Sequence, residues 1–442
     1  MKKMLIKNGR VCLGNTIEKC DLLIVNGKIA SIDQDHAAVD ETVDAAGMYV
    51  LPGFIDMHTH VDDTIGGFEL ADTYESATRL AVQNGITTIY SFVTQSSDET
   101  LGEAVHRVCL KAEGNTHCHV GWHLTPTHWD DDSWEEVLHW VPVDFRTLKL
   151  YTTYREAGLY SSYERIKSIA EKLKDMGVTI LVHCEDEAEL DIHLTEIDMS
   201  DPFSHTLMRP PAAEHAAIAQ VIRIARETGV RFHIVHVSTA EGVEMIRDNR
   251  STARITCETA PHYLFLNEET LRGEEGHYYL CSPPLRSEYN RERLVRLARE
   301  GCIDVYATDH CAFAKRHKDM NRADLRRTPK GIAGLGALVP LMYEMHREKG
   351  ASGMLELSQR LSANPARVTG LYPKKGVIEP GADADLVICE DGGEKRRIVS
   401  SLSDTYEPYP DFSTTLRVHS VCLNGEWAVH ESRLVGSGVT HD

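Results

Sequence analysis

The sequence of 442 residues is 42% hydrophobic and 26% charged, which is typical of a globular protein with a large core. Its 67 acidic and 47 basic residues give a formal net charge of −20, which repels a phosphate backbone, so we expect no nucleic acid partner. No run approaches the roughly 18 to 20 uncharged apolar residues of a membrane span, and the start is too polar for a signal peptide. We therefore expect a cytoplasmic protein without a membrane partner, whose eleven cysteines are reduced.

Residues 1–52 are predicted to form short strands joined by turns. The apolar runs 4–7, 21–25 and 28–32 have strand length, and Asn26-Gly27 between the last two is typical of a hairpin turn. The first 52 residues are therefore predicted to be the first part of a β domain.

From residue 53 to residue 370, apolar runs alternate with amphipathic helices. The runs 178–183 and 231–237 are predicted strands, and the stretch 213–228 between them is a predicted helix that ends at Gly229. Strands separated by helices indicate parallel βαβ units. A long series of such units favours an α/β fold, here a distorted (β/α)8 barrel of the TIM type that carries the catalytic site.

Residues 371–442 return to strands. The run 376–388 is predicted as a turn leading into a strand, the run 420–428 as a second strand region with Asn424-Gly425 as its turn, and the polar segment 394–412 as a loop. Because both chain ends are predicted to consist of short strands, we expect them to fold together as one small β-sandwich domain beside the barrel.

Two histidines end the first predicted barrel strand, in the run GFIDMHTH that closes at His60. Side chains two residues apart in a strand share a face, so His58 and His60 could bind one metal ion at the carboxyl end of the strand. An H-x-H pair can also arise by chance among 23 histidines. The pair becomes informative through the strand ends that follow.

Three later apolar runs also end in a metal-binding type of residue. His183 closes the run TILVH, and Asp309 closes the run DVYATD. His236 lies in the run HIVHVS, where His233, three residues earlier, is expected on the opposite face of the strand. A single histidine in such a place is more often a hydrogen-bonded core residue. Four such strand ends in one barrel predict a common metal site.

Lys149 lies between two leucines in the predicted strand LKLY. Burial of an ammonium group is costly and lowers its pKa, and the resulting neutral amine can react with carbon dioxide to form a carbamate. A carbamate is an anionic oxygen donor that can bridge two cations. The alternatives for an isolated lysine are a buried ion pair or a side chain that reaches solvent.

Together these residues resemble the amidohydrolase superfamily, and most closely its dihydropyrimidinase and hydantoinase branch. The resemblance extends over nearly the whole chain, from LPGFIDMHTH at 51–60 to NPAR at 364–367 and GADADLV at 381–387. It implies two divalent cations, with Zn²⁺ preferred and Mn²⁺ or Co²⁺ possible. It also implies six ligands: His58, His60, N-carboxylated Lys149, His183, His236 and Asp309.

The family assigns a role to each ligand. The H-x-H pair holds the more buried cation, the carboxylated lysine bridges both cations, and the two later histidines hold the second cation. The aspartate, here Asp309, binds the first cation and also transfers the proton. The resemblance further implies a small cyclic amide as substrate and a homotetramer or homodimer as the assembly.

Smaller features favour the hydantoinase branch. Dihydroorotases carry an arginine two residues after the H-x-H pair, where this chain has Asp62. Hydantoinases resemble this chain in the Gly66-Gly67 loop and in a tyrosine five residues after the lysine, here Tyr154, which donates to the developing oxyanion. Their SPPLR loop recurs from Ser282, whose hydroxyl is implied to bind the ring amide groups.

The chain departs from the family pattern at Lys330, which follows Pro329 where the family has a substrate-binding asparagine. The next residues, 331–335, are more similar to allantoinase or dihydroorotase, so an allantoinase-like or dihydroorotase-like hydrolase of cyclic ureides is the alternative. Some relatives keep the barrel as non-enzymatic scaffolds but lack several ligands. All six ligand positions are filled here, so we expect a hydrolase that opens a cyclic amide, imide or ureide.

Overall fold

The computed structural model describes residues 2–33, 38–141, 145–192 and 197–435. The strands in these ranges are β1 Lys3–Leu13, β2 Thr16–Val25, β3 Lys28–Ile32, β4 Glu41–Asp44, β5 Tyr49–Pro52, β6 Phe54–Asp56, β7 Thr59–His60, β8 Thr64–Ile65, β9 Phe68–Glu69, β10 Ile86–Thr94, β11 His119–Thr125, β12 Thr147–Tyr151, β13 Thr179–His183, β14 Arg231–Ile234, β15 Ile255–Thr259, β16 Val305–Tyr306, β17 His310–Cys311, β18 Leu386–Glu390, β19 Arg396–Arg397, β20 Ser413–Thr414, β21 Arg417–Leu423, β22 Glu426–His430 and β23 Arg433–Leu434.

The α-helices are α1 Tyr74–Gln83, α2 Leu101–Ala112, α3 Asp131–Trp140, α4 Tyr163–Leu173, α5 Glu187–Ile192, α6 Ser204–Met208, α7 Pro211–Thr228, α8 Ala240–Asn249, α9 Pro261–Phe265, α10 Glu288–Arg299, α11 Lys315–Asp319, α12 Leu338–His346, α13 Ala351–Ser358 and α14 Asn364–Thr369. Among the described residues, none of these helices is both long enough and apolar enough to cross a bilayer.

Eight parallel strands form the predicted barrel, in the order β16, β15, β14, β13, β12, β11, β10, β6. The order follows the chain apart from three short strands outside the barrel sheet, as expected for successive βαβ units. Lys149 on β12 lies opposite Leu181 on β13, and Tyr151 lies opposite His183. The predicted strand 231–237 ends earlier, at Ile234, because the chain leaves the ladder before His236, whose φ is 38°.

The barrel is closed between its first and last strands by side-chain hydrogen bonds rather than by a ladder. The buried carboxylate of Asp56, on β6, accepts hydrogen bonds from the backbone N–H of Thr308 at 3.0 Å and from the Thr308 hydroxyl at 2.6 Å. Directly beyond these residues, β17 pairs in parallel with β7. The closure therefore brings the residues around His60 next to those that follow Asp309.

Helix α7 illustrates how the outer layer supports the strand ends. It begins at Pro211, which suits the first turn of a helix, and ends before Gly229, whose φ of 70° stops it as predicted. Its buried Glu214 accepts hydrogen bonds from the backbone N–H groups of Ser238 and Thr239 at 3.1 and 3.0 Å. The helix thereby fixes the backbone two residues after His236.

The two chain ends form one mixed sheet of nine strands, in the order β23, β22, β21, β18, β5, β1, β2, β3, with β4 paired to β1. Both predicted turns are present, since Asn26-Gly27 joins β2 to β3 and Asn424-Gly425 joins β21 to β22, with positive φ at all four residues. The segment predicted as a loop, 394–412, contains the short strand β19. All eleven cysteines lie within the described residues, and none of them forms a disulfide.

We predict that the closure hydroxyl of Thr308 contributes measurably to stability. Thr308→Val keeps the shape of the side chain but leaves one buried oxygen of Asp56 without its donor, so the free energy of unfolding should fall by about 1–3 kcal/mol in urea denaturation. Thr88→Val on β10 is the matched control, because this buried hydroxyl has no partner among the described residues. An equal loss in both variants would contradict the closure role.

Candidate metal centre

His58, His60 and Asp309 converge at the carboxyl ends of the first and last barrel strands. Nε2 of His58 lies 3.2 Å from Oδ1 of Asp309, and Nε2 of His60 lies 3.4 Å from the same oxygen. The three potential ligand atoms all lie within 4.8 Å of one another, close enough to hold one metal ion. These residues form a candidate metal site at the end of the barrel where functional sites of this fold lie.

Backbone constraints hold Asp309 in place. Its φ is 49°, in the left-handed region, which is uncommon for residues other than glycine. The next residue, His310, pairs with Thr59 through β17 and β7, and its Nε2 faces Oδ2 of the buried Asp72 at 3.1 Å. Asp72 also accepts hydrogen bonds from Ser401 and Ser403, so the segment after β19 helps to fix this strand end.

Glu258, on β15, orients the first histidine. One of its carboxylate oxygens faces Nδ1 of His58, and the other lies 3.2 Å from Nε2 of His233. Burial raises the pKa of Glu258, but His58 and His233 outweigh it and hold the pKa well below its usual range. A carboxylate on the far nitrogen of a ligand histidine fixes its orientation and its tautomer. His233, which was not predicted to be a metal ligand, thus contacts the carboxylate of Glu258.

His183 and His236 form a second pair beside the first. Nδ1 of His183 lies 3.0 Å from Nε2 of His236, and the His236 ring centroid lies 5.4 Å from that of His58. Nε2 of His183 faces Glu185 at 2.8 Å, which repeats the carboxylate–imidazole arrangement of Glu258 and His58. Nδ1 of His183 is thus the nitrogen of that ring without a carboxylate partner, and Nδ1 of His236 is buried with no hydrogen-bond partner among the described residues.

Lys149 is fully buried in the middle of β12, with only 1% of its surface exposed. Its Nζ lies 5.2 Å from the ring centroid of Phe92 and 5.1 Å from that of Tyr151. The same Phe92 ring stacks on His60 at 4.6 Å. Burial lowers the pKa of Lys149 to about 8, which makes its amine more reactive than that of an exposed lysine.

The predicted substrate residues lie on the His183 side of the site. Tyr154 has a φ of 66°, and its ring centroid lies 5.1 Å from that of His183. Burial raises the pKa of Tyr154 to about 12, so its hydroxyl stays protonated at neutral pH and can donate. The Ser282 hydroxyl lies 3.2 Å from Nε2 of His205, and the Lys330 amine donates to the carbonyl of Leu325.

Two acidic residues with supporting roles, Glu185 and Glu258, are absent from the ligand set predicted from sequence. Glu185 is fully buried and binds both His183 and Arg209. Burial raises the pKa of Glu185, but Arg209 and His183 lower it more, to about 2. Glu258 could have been found by the criterion used for the other ligands, because it also lies at the end of an apolar strand, β15.

The donor set fits a divalent metal ion. Burial lowers the pKa of His58, His183 and His236, so these imidazoles are neutral at neutral pH and each keeps a lone pair for a cation. Burial raises the pKa of Asp309, but His58 and His60 have the larger effect and lower this pKa to about 2. The Asp309 carboxylate is therefore ionised at neutral pH. Neutral imidazoles with one ionised carboxylate suit Zn²⁺, Mn²⁺ or Co²⁺.

Comparison with known proteins agrees with this site. Residues 49–428 match the model of the amidohydrolase family. The chain is 32% identical to the D-hydantoinase of Geobacillus stearothermophilus over 98% of this chain and 94% of that protein. It is also 32% identical to the D-hydantoinase of Streptomyces coelicolor, with 98% of this chain and 96% of that protein covered.

Solved structures give the same result. The dihydropyrimidinase of Brevibacillus agri is similar to this chain with a TM-score of 0.92 at 30% identity, covering 98% of this chain and 96% of that one. The L-hydantoinase of Arthrobacter aurescens is similar with a TM-score of 0.88 at 25% identity, covering 99% and 98%. Because the similarity includes both the barrel and the sheet from the chain ends, this chain belongs to the amidohydrolase family and is a hydrolase of the hydantoinase and dihydropyrimidinase type.

Proposed function

We propose that the protein opens the ring of a small cyclic amide, imide or ureide by hydrolysis of one ring C–N bond. The convergence of His58, His60 and Asp309 at the barrel mouth is the observation that carries the proposal. The relatives with full-length similarity are named hydantoinases and dihydropyrimidinases, which supports a ring amide as the bond that is cleaved. Water adds across this bond, so that the carbonyl carbon becomes a carboxylate and the ring nitrogen receives a proton.

Two divalent cations belong to the proposed active form. His58, His60 and Asp309 would hold one cation, and His183 with His236 would hold the other. Zn²⁺ is the preferred occupant, with Mn²⁺ or Co²⁺ as alternatives. When bound, such a pair of cations supplies an acidified water and a Lewis acid for the ring carbonyl.

Lys149 is the proposed bridge between the two cations. Its pKa of about 8 leaves part of the amine neutral at neutral pH, and a neutral amine adds to carbon dioxide to give a carbamate and a released proton. The carbamate replaces a buried positive charge with a negative one, which two cations would stabilise. The position of the amine in β12, between the strands that carry the two histidine groups, supports this role.

Asp309 and Tyr154 are the proposed catalytic residues. Asp309 is ionised and next to both His58 and His60, so its carboxylate can accept the proton of the attacking water and deliver it to the leaving nitrogen. Tyr154 keeps its proton and can donate to the carbonyl oxygen as negative charge develops there. Ser282, which His205 positions, would bind the amide groups of the ring.

A panel of ring compounds tests the activity directly. We expect the metal-loaded protein to open at least one of dihydrouracil, hydantoin, allantoin, dihydroorotate and succinimide. Ring opening is measured as the loss of ring absorbance. Treatment with a chelator should abolish the reaction, and added Zn²⁺, Mn²⁺ or Co²⁺ should restore it, because the cations supply the acidified water. A chelated protein with full activity would refute the metal-dependent reaction.

Lys149→Met tests the carbamate. We expect the metal content to fall from about two ions to one or fewer per chain, and turnover to fall by at least about a thousandfold, because the bridging anion is lost. Lys318→Met is the matched control for metal content. Lys318 is equally buried, but its ammonium donates to the carbonyls of Tyr278, Leu280 and Gly331. Two ions and normal turnover in Lys149→Met would exclude the carbamate.

Tyr154→Phe tests the oxyanion donor. Loss of the hydroxyl should lower kcat by about a hundredfold to a thousandfold and change KM little, because the hydrogen bond strengthens mainly in the transition state. Tyr160→Phe is the control in the same loop region, where the hydroxyl lies outside the proposed machinery, and it should stay within about twofold of the parent. A fall in affinity without a fall in kcat would instead assign Tyr154 to substrate binding alone.

A further inference from the structure

A completely buried lysine, Lys318, is neither a proposed metal ligand nor a proposed catalytic residue. It lies on α11, and 0% of its surface is exposed. Within the described chain its amine makes three hydrogen bonds, and none of them goes to a carboxylate. Burial of a charged amine without a carboxylate partner is unfavourable unless other groups satisfy its N–H donors.

Backbone carbonyls satisfy the amine of Lys318. Its Nζ donates to the carbonyl of Tyr278 at 2.7 Å, to that of Leu280 at 3.3 Å and to that of Gly331 at 2.7 Å. The ring centroid of Tyr406 also lies 5.4 Å from Nζ, within the range of a cation–π contact. Burial lowers the pKa of Lys318 to about 7, whereas the three carbonyls favour the protonated form, because only an ammonium has three N–H donors.

The three carbonyls belong to two segments that are distant in the sequence. Tyr278 and Leu280 come shortly before Ser282, whose hydroxyl is proposed to bind the ring amide groups. The third carbonyl belongs to Gly331, and the N–H of Gly331 donates to the Leu280 carbonyl at 2.7 Å. The Leu280 carbonyl thus accepts from both Gly331 and Lys318. The ammonium therefore lies where the two segments meet and is bonded to both.

The segment around Gly331 is itself fixed to the strand that follows Asp309. The backbone N–H of Cys311, in β17, donates to the Ile332 carbonyl at 3.1 Å. A Cβ atom at Gly331 would lie only 2.4 Å from the Cys311 carbonyl oxygen, so this close approach requires glycine. Because β17 begins directly after Asp309, the Gly331 segment has a set position relative to the candidate metal site.

His205, on α6, holds the residues that follow Leu280. Its Nε2 lies 2.9 Å from the Cys281 carbonyl and 3.2 Å from the Ser282 hydroxyl. Burial is the main cause that lowers the pKa of His205 to about 3, so this imidazole is neutral at neutral pH. The segment that ends at Ser282 is therefore held by Lys318 before Cys281 and by His205 from Cys281 onward.

We propose that Lys318 is a positioning residue, whose ammonium ties the Ser282 segment to the Gly331 segment and so sets the place of the Ser282 hydroxyl relative to the metal site. This inference rests on the proposed ring hydrolysis and deepens it, because it names a residue that acts on substrate binding without contact with the substrate. Loss of the ammonium would leave buried carbonyls short of donors, and the segment would have to shift to satisfy them.

Lys318→Met tests the inference on the ring of the panel that the metal-loaded parent opens fastest. Methionine keeps most of the apolar volume of the side chain but removes its N–H donors. We expect KM to rise by at least about tenfold and kcat to stay within about threefold, because Ser282 is proposed to bind the ring before and during the reaction. KM does not depend on the fraction of folded protein. Both metal ions should remain, because Lys318 is not a ligand.

A double-mutant cycle with Ser282→Ala separates positioning from general support of the fold. If Lys318 acts through Ser282, Lys318→Met should raise KM by less than about twofold when Ser282→Ala is already present. A lysine that supports only the fold would have its full effect in both backgrounds. Arg316→Met removes an equal charge from an exposed position on α11 and should keep the KM of the parent.

Lys318→Gln is the second variant, in case Lys318→Met does not fold. Glutamine retains two N–H donors and requires no buried charge, but its side chain is one atom shorter than that of lysine and reaches the two segments less well. We expect KM to rise by at least about threefold, and this rise should also disappear in the Ser282→Ala background.

Three results would overturn the positioning role while ring hydrolysis stands. They are an unchanged KM in the folded Lys318 variant, a full additional effect of that variant in the Ser282→Ala background, and loss of a metal ion from it. The last result would assign the lysine to the metal site instead of Ser282. If parent protein that contains both metal ions opens none of the rings in the panel, the proposed function fails and the positioning role fails with it.

Discussion

The structure depends on keeping histidine side chains neutral and oriented where water is largely excluded. Burial alone lowers the pKa of an imidazole, but it does not decide which nitrogen carries the proton. Glu258 faces Nδ1 of His58, and Glu185 faces Nε2 of His183. Each carboxylate accepts a hydrogen bond from one ring N–H and leaves the other nitrogen of that ring without a proton.

The same constraint explains how the barrel closes. The last strand supplies Asp309 to a site whose histidines come from the first strand, so any slip between these strands would separate the ligands. The bonds between Asp56 and Thr308, together with the pairing of β17 with β7, prevent such a slip. Asp72 also accepts hydrogen bonds from Ser401 and Ser403, so the segment that contains these serines is attached to the same end of the barrel.

The sequence by itself determined the alternation of strands and helices, both hairpin turns, and the polar residues at the strand ends, because these depend on local periodicity and on the conformational preferences of Asn and Gly. The clustering of His58, His60 and Asp309 followed from the rule that parallel strands end on one face of a barrel. The remaining ligand and substrate roles stay predictions.

Only the tertiary structure decided the partners of those side chains. His58 and Glu258 are 200 residues apart in the chain, and Arg209 and Glu185 are 24 residues apart, so no local pattern relates the members of either pair. The early end of β14 at Ile234 could not be predicted from the sequence either, because the apolar pattern continues to residue 237 while the backbone leaves the sheet before His236. Periodicity specifies which face of a strand a side chain occupies, whereas packing between distant strands specifies which atom it meets.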